Sequence, residues 1–176
     1  SSLLNYLGRT FEKMGYKGIL CEGVDRLLKG RTPNYLYQPA GSLKIKTFLK
    51  NYSLSDDIAF RFSDRNWKEW PLQADTFASW VHQIAGNGEV LNLFMDYETF
   101  GEHQWEETGI FDFLDYLPKE IMSHSDFDFK TLSEAADSYK VRDIYDAPEF
   151  ISCADAERDL SAWLSNPMEK EAAKRI

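Results

Sequence analysis

The chain has 176 residues, 43% of them hydrophobic, which is enough for one domain with a sizeable core. A net charge of −9 argues against nucleic acid and anionic membrane surfaces as partners, because both call for a basic face. No apolar run approaches the ~20 residues of a membrane-spanning helix, and no basic stretch leading into an apolar one marks a signal peptide. Cys21 and Cys153 lie in apolar or strand-like surroundings and form no zinc-type pair, so the reading is a reduced, cytoplasmic chain.

In chain order, Leu3, Leu4, Leu7, Phe11 and Met14 recur at three- and four-residue spacing and predict a helix, with Gly15 as its C-cap. Gly18-Ile19-Leu20-Cys21 predicts a short buried strand that ends at Glu22. Helix, glycine, strand and acid together form an αβ unit. Residues 23–29 suit a short helix, Tyr35 to Gln38 an extended piece, and Leu43 to Leu49 a second strand. Ser53 or Ser55 can cap a helix running to about Phe62. Phe77, Trp80, Val81 and Ile84 place a further helix over 74–85.

The run Val90-Leu91-Asn92-Leu93-Phe94-Met95 follows the turn residues Gly86-Asn87-Gly88 and ends at Asp96. Apolar residues without alternation predict a strand covered on both faces, as in a parallel α/β sheet. Past its end come Glu98, Glu102, His103, Gln104 and Trp105. A helix over about 107–122 is expected to be interrupted at Pro118. Thr131-Leu132-Ser133-Glu134 fits a capping box. Glu149 to Cys153 suits a last strand, and residues 156–176 a last helix. That helix has no C-cap glycine and the chain has no initiator Met, so the expectation is a piece of a longer protein.

Three groupings of side chains bear on chemistry. Glu22 and Asp96 each follow an apolar strand directly. With one parallel strand between theirs, they stand ~10 Å apart along the sheet, and inward-leaning side chains can reach the about 5–5.5 Å used by retaining glycosidases. The bland alternative makes both ordinary strand-end acids paired with arginines. Asp96, Glu98, Glu102 and His103 together can be metal ligands, or groups that hydrogen-bond a sugar; their spacing matches no strong metal motif. Asp159 and Trp163 share a helix face and can stack on and bond a sugar, or Trp163 can simply fill the core. Aromatic residues make up 15% of the chain, and the apolar face of a pyranose packs on such rings. No nucleophile elbow, phosphate loop or zinc-protease motif is present.

The motif Leu93-Phe94-Met95-Asp96-Tyr97-Glu98-Thr99-Phe100-Gly101-Glu102-His103 resembles the fourth conserved region of glycoside hydrolase family 57, in its α-amylase-like branch. Gly18 to Gly23, followed by Arg31-Thr32-Pro33-Asn34-Tyr35, resembles the third region, and Asp155 to Leu164 the fifth. The resemblance implies an α/β fold: residues 1–150 as the C-terminal part of a (β/α)7-type barrel with parallel strands, and 151–176 as the start of a helical region. It implies retaining chemistry on α-glucosidic bonds, with Glu22 as nucleophile, Asp96 as general acid/base, and Glu98, His103, Trp105, Asp159 and Trp163 binding substrate. Starch, glycogen or maltooligosaccharides would be the partner, with no cofactor and no metal. A 4-α-glucanotransferase or branching enzyme, or a non-catalytic carbohydrate-binding piece, are the alternatives. The family's first region, a His-Gln-Pro motif, and its second are absent from these residues, so the piece alone is expected to be inactive. Cys153 stands where an aromatic residue is expected.

Overall fold

The structure is a computed structural model that describes residues 3–42, 44–148, 151, 164 and 166–174. Helix α1 (Leu3–Lys13) leads through Gly15, whose φ of 89° stops the helix, into β1 (Gly18–Glu22). Helix α2 (Asp25–Leu28), β2 (Leu36–Gln38) and β3 (Lys46–Lys50) follow. Helix α3 (Tyr52–Asp56) runs on into a π-helical turn over Asp57–Arg61. Then come α4 (Ala74–His82), two 3₁₀ turns (Tyr97–Thr99 and Glu106–Thr108), α5 (Ile110–Met122), α6 (Leu132–Ser138), β4 (Val141–Ile144) and α7 (Pro167–Ala173).

The four strands form one sheet in the order β1-β3-β2-β4. β1 and β3 run parallel in unbroken register from Gly18↔Lys46 to Glu22↔Lys50. β2 is parallel to β4 but antiparallel to β3, which it meets at Tyr37↔Thr47. The α/β class is as expected, while the all-parallel sheet is not: β2 is only three residues long and returns against β3 after a tight loop. β4 was not expected at all. Two of its four residues, Arg142 and Asp143, are charged, a composition that suits an edge strand and hides it from a hydrophobicity pattern.

The largest departure is the 90–96 run. It is extended but joins no ladder. Its apolar character comes from lying between two clusters. Leu91, Leu93 and Met95 pack against the helical core of Ile58, Phe62, Phe77, Val81, Ile110, Phe113 and Leu117. Val90 and Phe94 pack against Leu36, Phe48, Ala135 and Ala136. Each face is therefore partly covered, without strand pairing and short of the full burial expected of a central strand. In the helical core, the Phe113 ring meets Phe62 at 5.0 Å and Phe77 at 5.8 Å, both edge-on. A third cluster under β1 joins Leu4, Leu28, Tyr37, Leu49 and Tyr145. Among the described residues no helix is long and apolar enough to cross a membrane.

The other helices agree with the sequence to within a few residues. The capping box at Thr131 and Glu134 is present in both directions, while α5 runs through Pro118 as one helix in place of the expected interruption. The cap of α3 is Asn51, whose side chain accepts from the Leu54 N–H, in place of Ser53 or Ser55. The expected strand over 149–153 and most of the last helix lie outside the described residues.

Candidate active site

Because β1 and β3 are parallel and in register, they finish together. Their last residues, Glu22 and Lys50, stand side by side at the carboxyl edge of the sheet. Lys50 Nζ is 3.5 Å from Glu22 Oε1, and the two side chains keep only 10% and 17% of their surface exposed. Glu22 Oε2 is buried and has no hydrogen-bond partner among the described residues. The expected alternative of an arginine partner is thus replaced by a lysine from the neighbouring strand.

Two features fix this strand end. Gly23 is buried, and a Cβ there would collide with the Lys50 carbonyl oxygen and come within 3.1 Å of Pro33 Cβ. Only glycine lets the chain turn this tightly against β3. Tyr145, fully buried, donates its hydroxyl to the Glu22 carbonyl at 2.9 Å and accepts from the Val24 N–H at 3.3 Å. Burial, ahead of nearby charges, raises the Tyr145 phenol above its ordinary range, so it serves as a neutral hydroxyl. Next to Glu22, burial and then the Glu22 charge push the Cys21 thiol up to about 12. Cys21 is free and stays protonated at neutral pH.

The second carboxylate is placed differently. Asp96 is exposed, and its carbonyl accepts from the Thr99 N–H at 3.0 Å to open the first 3₁₀ turn. A tight loop follows. The Glu98 carbonyl accepts from the N–H groups of Glu102 (3.2 Å) and His103 (2.9 Å), and Gly101 turns the chain with φ 114°. Thr99 and Gln104 are the buried anchors, the Gln104 amide donating to the Ala59 carbonyl at 3.0 Å. Tyr97 is 96% exposed and Trp105 61%, with the indole N–H of Trp105 donating to the Glu102 carbonyl. Asp96, Glu98, His103 and Trp105 are therefore brought together on one solvent-facing loop. No hydrogen bond or ion pair joins this loop to Glu22 among the described residues.

Asparagines connect the two regions. The Asn51 N–H donates to the Asn92 carbonyl at 2.9 Å, and the Asn92 amide donates to the Leu49 carbonyl at 3.0 Å. The Asn51 amide reaches Asn34 Oδ1 at 3.2 Å, and the Asn34 carbonyl takes the Glu89 and Val90 N–H groups. The run before Asp96 is thus tied to the end of β3, next to Glu22. Lys50, Gly23, Tyr145 and the asparagines were not singled out from sequence as site residues. Lys50 and Asn92 carry a signal in the sequence, Lys50 as a charged residue closing an apolar strand of the same length as β1 and Asn92 as an amide within an apolar run. Asp159 and Trp163 lie outside the described residues, as does Cys153. Among the described residues no group of three or more histidines, cysteines or carboxylates is placed to hold a metal ion.

A profile of glycosyl hydrolase family 57 matches residues 3–148. The chain belongs to this family. The matched span runs from α1 through β4 and contains both Glu22 and Asp96. A Methanocaldococcus jannaschii protein named "Putative alpha-amylase" is 47% identical over 174 residues, covering 98% of this chain and 36% of that protein. The chain therefore spans about a third of the length of this curated relative. No solved structure matches it.

Proposed function

We propose that the chain is part of a retaining glycoside hydrolase that cleaves α-glucosidic bonds of starch, glycogen or maltodextrins, with Glu22 as nucleophile and Asp96 as general acid/base. The observation that carries this reading is the state of Glu22. Its carboxylate is nearly buried and ion-paired through one oxygen, at the carboxyl edge of a parallel pair, where α/β folds gather their chemistry. Family membership and the α-amylase-like relative support the reaction class. Residues 1–150 form the C-terminal part of a (β/α)7-type barrel in this reading, and 151–176 begin a helical region.

In the first half-reaction the Glu22 carboxylate bonds to the anomeric carbon. The glycosidic bond breaks, and its oxygen takes a proton from Asp96. In the second, Asp96 removes a proton from water, which attacks the same carbon and frees Glu22. Glu98, His103 and Trp105 would contact the sugar beside Asp96, with Asp159 and Trp163 completing the subsite. The Trp105 ring offers an apolar face for a pyranose, and Glu98 and His103 offer hydrogen bonds.

The test is Glu22→Gln and Asp96→Asn in the full-length protein assayed on maltooligosaccharides. Removing either group should lower kcat about a thousandfold or more, equivalent to several kcal/mol of transition-state stabilisation. A loss below about tenfold in both variants overturns the assignment. Product analysis separates hydrolysis, which yields only reducing sugar, from transfer, which yields longer or newly linked oligomers.

A further inference from the structure

The two oxygens of Glu22 are not equivalent. Oε1 faces the ammonium of Lys50 at 3.5 Å, while Oε2 is buried and accepts no hydrogen bond among the described residues. Lys50 is itself buried, and Glu22 is the carboxylate it faces. A buried ammonium and a buried carboxylate are each costly alone and hold one another in place. Their spacing is enforced from both sides: the strand register sets Lys50 opposite Glu22, and the absence of a side chain at Gly23 lets the two strand ends close together. Tyr145 fixes the backbone of the same residue from a third element.

We infer that Lys50 is a positioning residue for the covalent step, holding the Glu22 carboxylate by Oε1 in the orientation from which it attacks the anomeric carbon. The inference rests on the reading of Glu22 as nucleophile. As the ester forms, a lone pair of the Glu22 carboxylate makes the new C–O bond. The glycosidic bond breaks toward its oxygen, which takes the proton from Asp96, and the ester that results still lies beside Lys50. In the second half-reaction water bonds to the carbon and gives its proton to Asp96. The bond between that carbon and Glu22 breaks, and its electron pair returns to the carboxylate. Negative charge is lost from Glu22 in the first half and regained in the second. A fixed cation beside Oε1 therefore assists the second half, in which that charge reappears, more than the first.

The test is Lys50→Met in the full-length protein, with an aryl α-maltooligoside as substrate. Slower release of the covalent intermediate should lower kcat about 10- to 100-fold, and lower KM with it as the intermediate accumulates. A pre-steady-state burst of the aryl alcohol should appear, and intact-mass analysis should show a glycosyl adduct on the peptide containing Glu22. Lys50→Arg, which keeps the charge, should retain kcat within about tenfold. If Lys50→Met fails to fold, Lys50→Gln takes its place with the same burst expected. A variant with kcat within about threefold of the parent, or with lowered kcat but neither burst nor adduct, overturns the inference. Glu22→Gln assayed in parallel separates the two readings. If Glu22→Gln retains activity, the nucleophile assignment is wrong. If Glu22→Gln is inactive while Lys50→Met resembles the parent, only the role of Lys50 is.

Discussion

The end of β1 and the loop over residues 96–105 carry one carboxylate each, and they are built in opposite ways. Glu22 is nearly buried, ion-paired, and fixed through its carbonyl, its neighbour Gly23 and the register of two strands. Asp96 sits on backbone turns, anchored from below by Thr99 and Gln104 and open to solvent above. The difference matches what the two proposed roles require. A nucleophile acts through one atom that must be stripped of water and aimed, so its cost of ordering is met in advance by packing. A group that gives up a proton and later takes one from water gains from solvent access between the two steps.

The sharpest probe of the dry side is Cys21. With its thiol raised from 9.0 to about 12, the thiolate population at pH 8 falls about a thousandfold. In a Cys153→Ser background, alkylation by iodoacetamide should be at least about 100-fold slower in the folded protein than in urea. Comparable rates would mean that the β1 end is wet. The folded thiol holds its proton more tightly than the unfolded one. Its contribution to stability is therefore fully present below pH 9 and is lost as pH rises through about 12, a decline that Cys21→Ala should remove from a pH series of urea melts.

Gly23→Ala should destabilise the protein by about 1–3 kcal/mol, since the added methyl meets the Lys50 carbonyl oxygen, which cannot move without breaking the β1–β3 register. Activity should fall more steeply than stability, because the displaced group is Glu22. Tyr145→Phe should cost about 1–2 kcal/mol in urea unfolding, because it leaves the Glu22 carbonyl and the Val24 N–H without their shared hydroxyl. On the loop, Tyr97→Ala should change stability by less than about 0.5 kcal/mol. At 96% exposure the ring packs on almost nothing. If Tyr97→Ala destabilises as much as Gly23→Ala, the contrast between the two regions fails.

Much of the fold could be read from periodicity. α1, α4 and α5 present apolar stripes, β1 ends at its acid as expected, and the Thr131 capping box closes in both directions. The 90–96 run shows where that reading stops. Apolar patterning reports how many faces of a segment are covered, and says nothing of whether its backbone bonds form a ladder. Here the backbone and side chain of Asn92 meet Asn51 and Leu49, so an amide in the middle of an apolar run was the sign that the run lies across a strand end. Lys50 escaped notice for a related reason. A charge closing a strand normally marks solvent, and only the pairing of two strands of equal length turns it inward beside Glu22.

The Asn51–Asn92 hydrogen bond has a mechanical meaning as well. Four peptide units separate Asn92 from Asp96, and an extended chain gains at most ~3.6 Å per residue. While that bond pins Asn92 to Asn51 at the end of β3, the Asp96 backbone stays within about 14 Å of that fixed point, however the exposed loop rearranges around a polysaccharide. The tether thereby limits how far the two carboxylates can be drawn apart, and the Asn92 side-chain amide on the Leu49 carbonyl is a second bond that must break before that limit loosens.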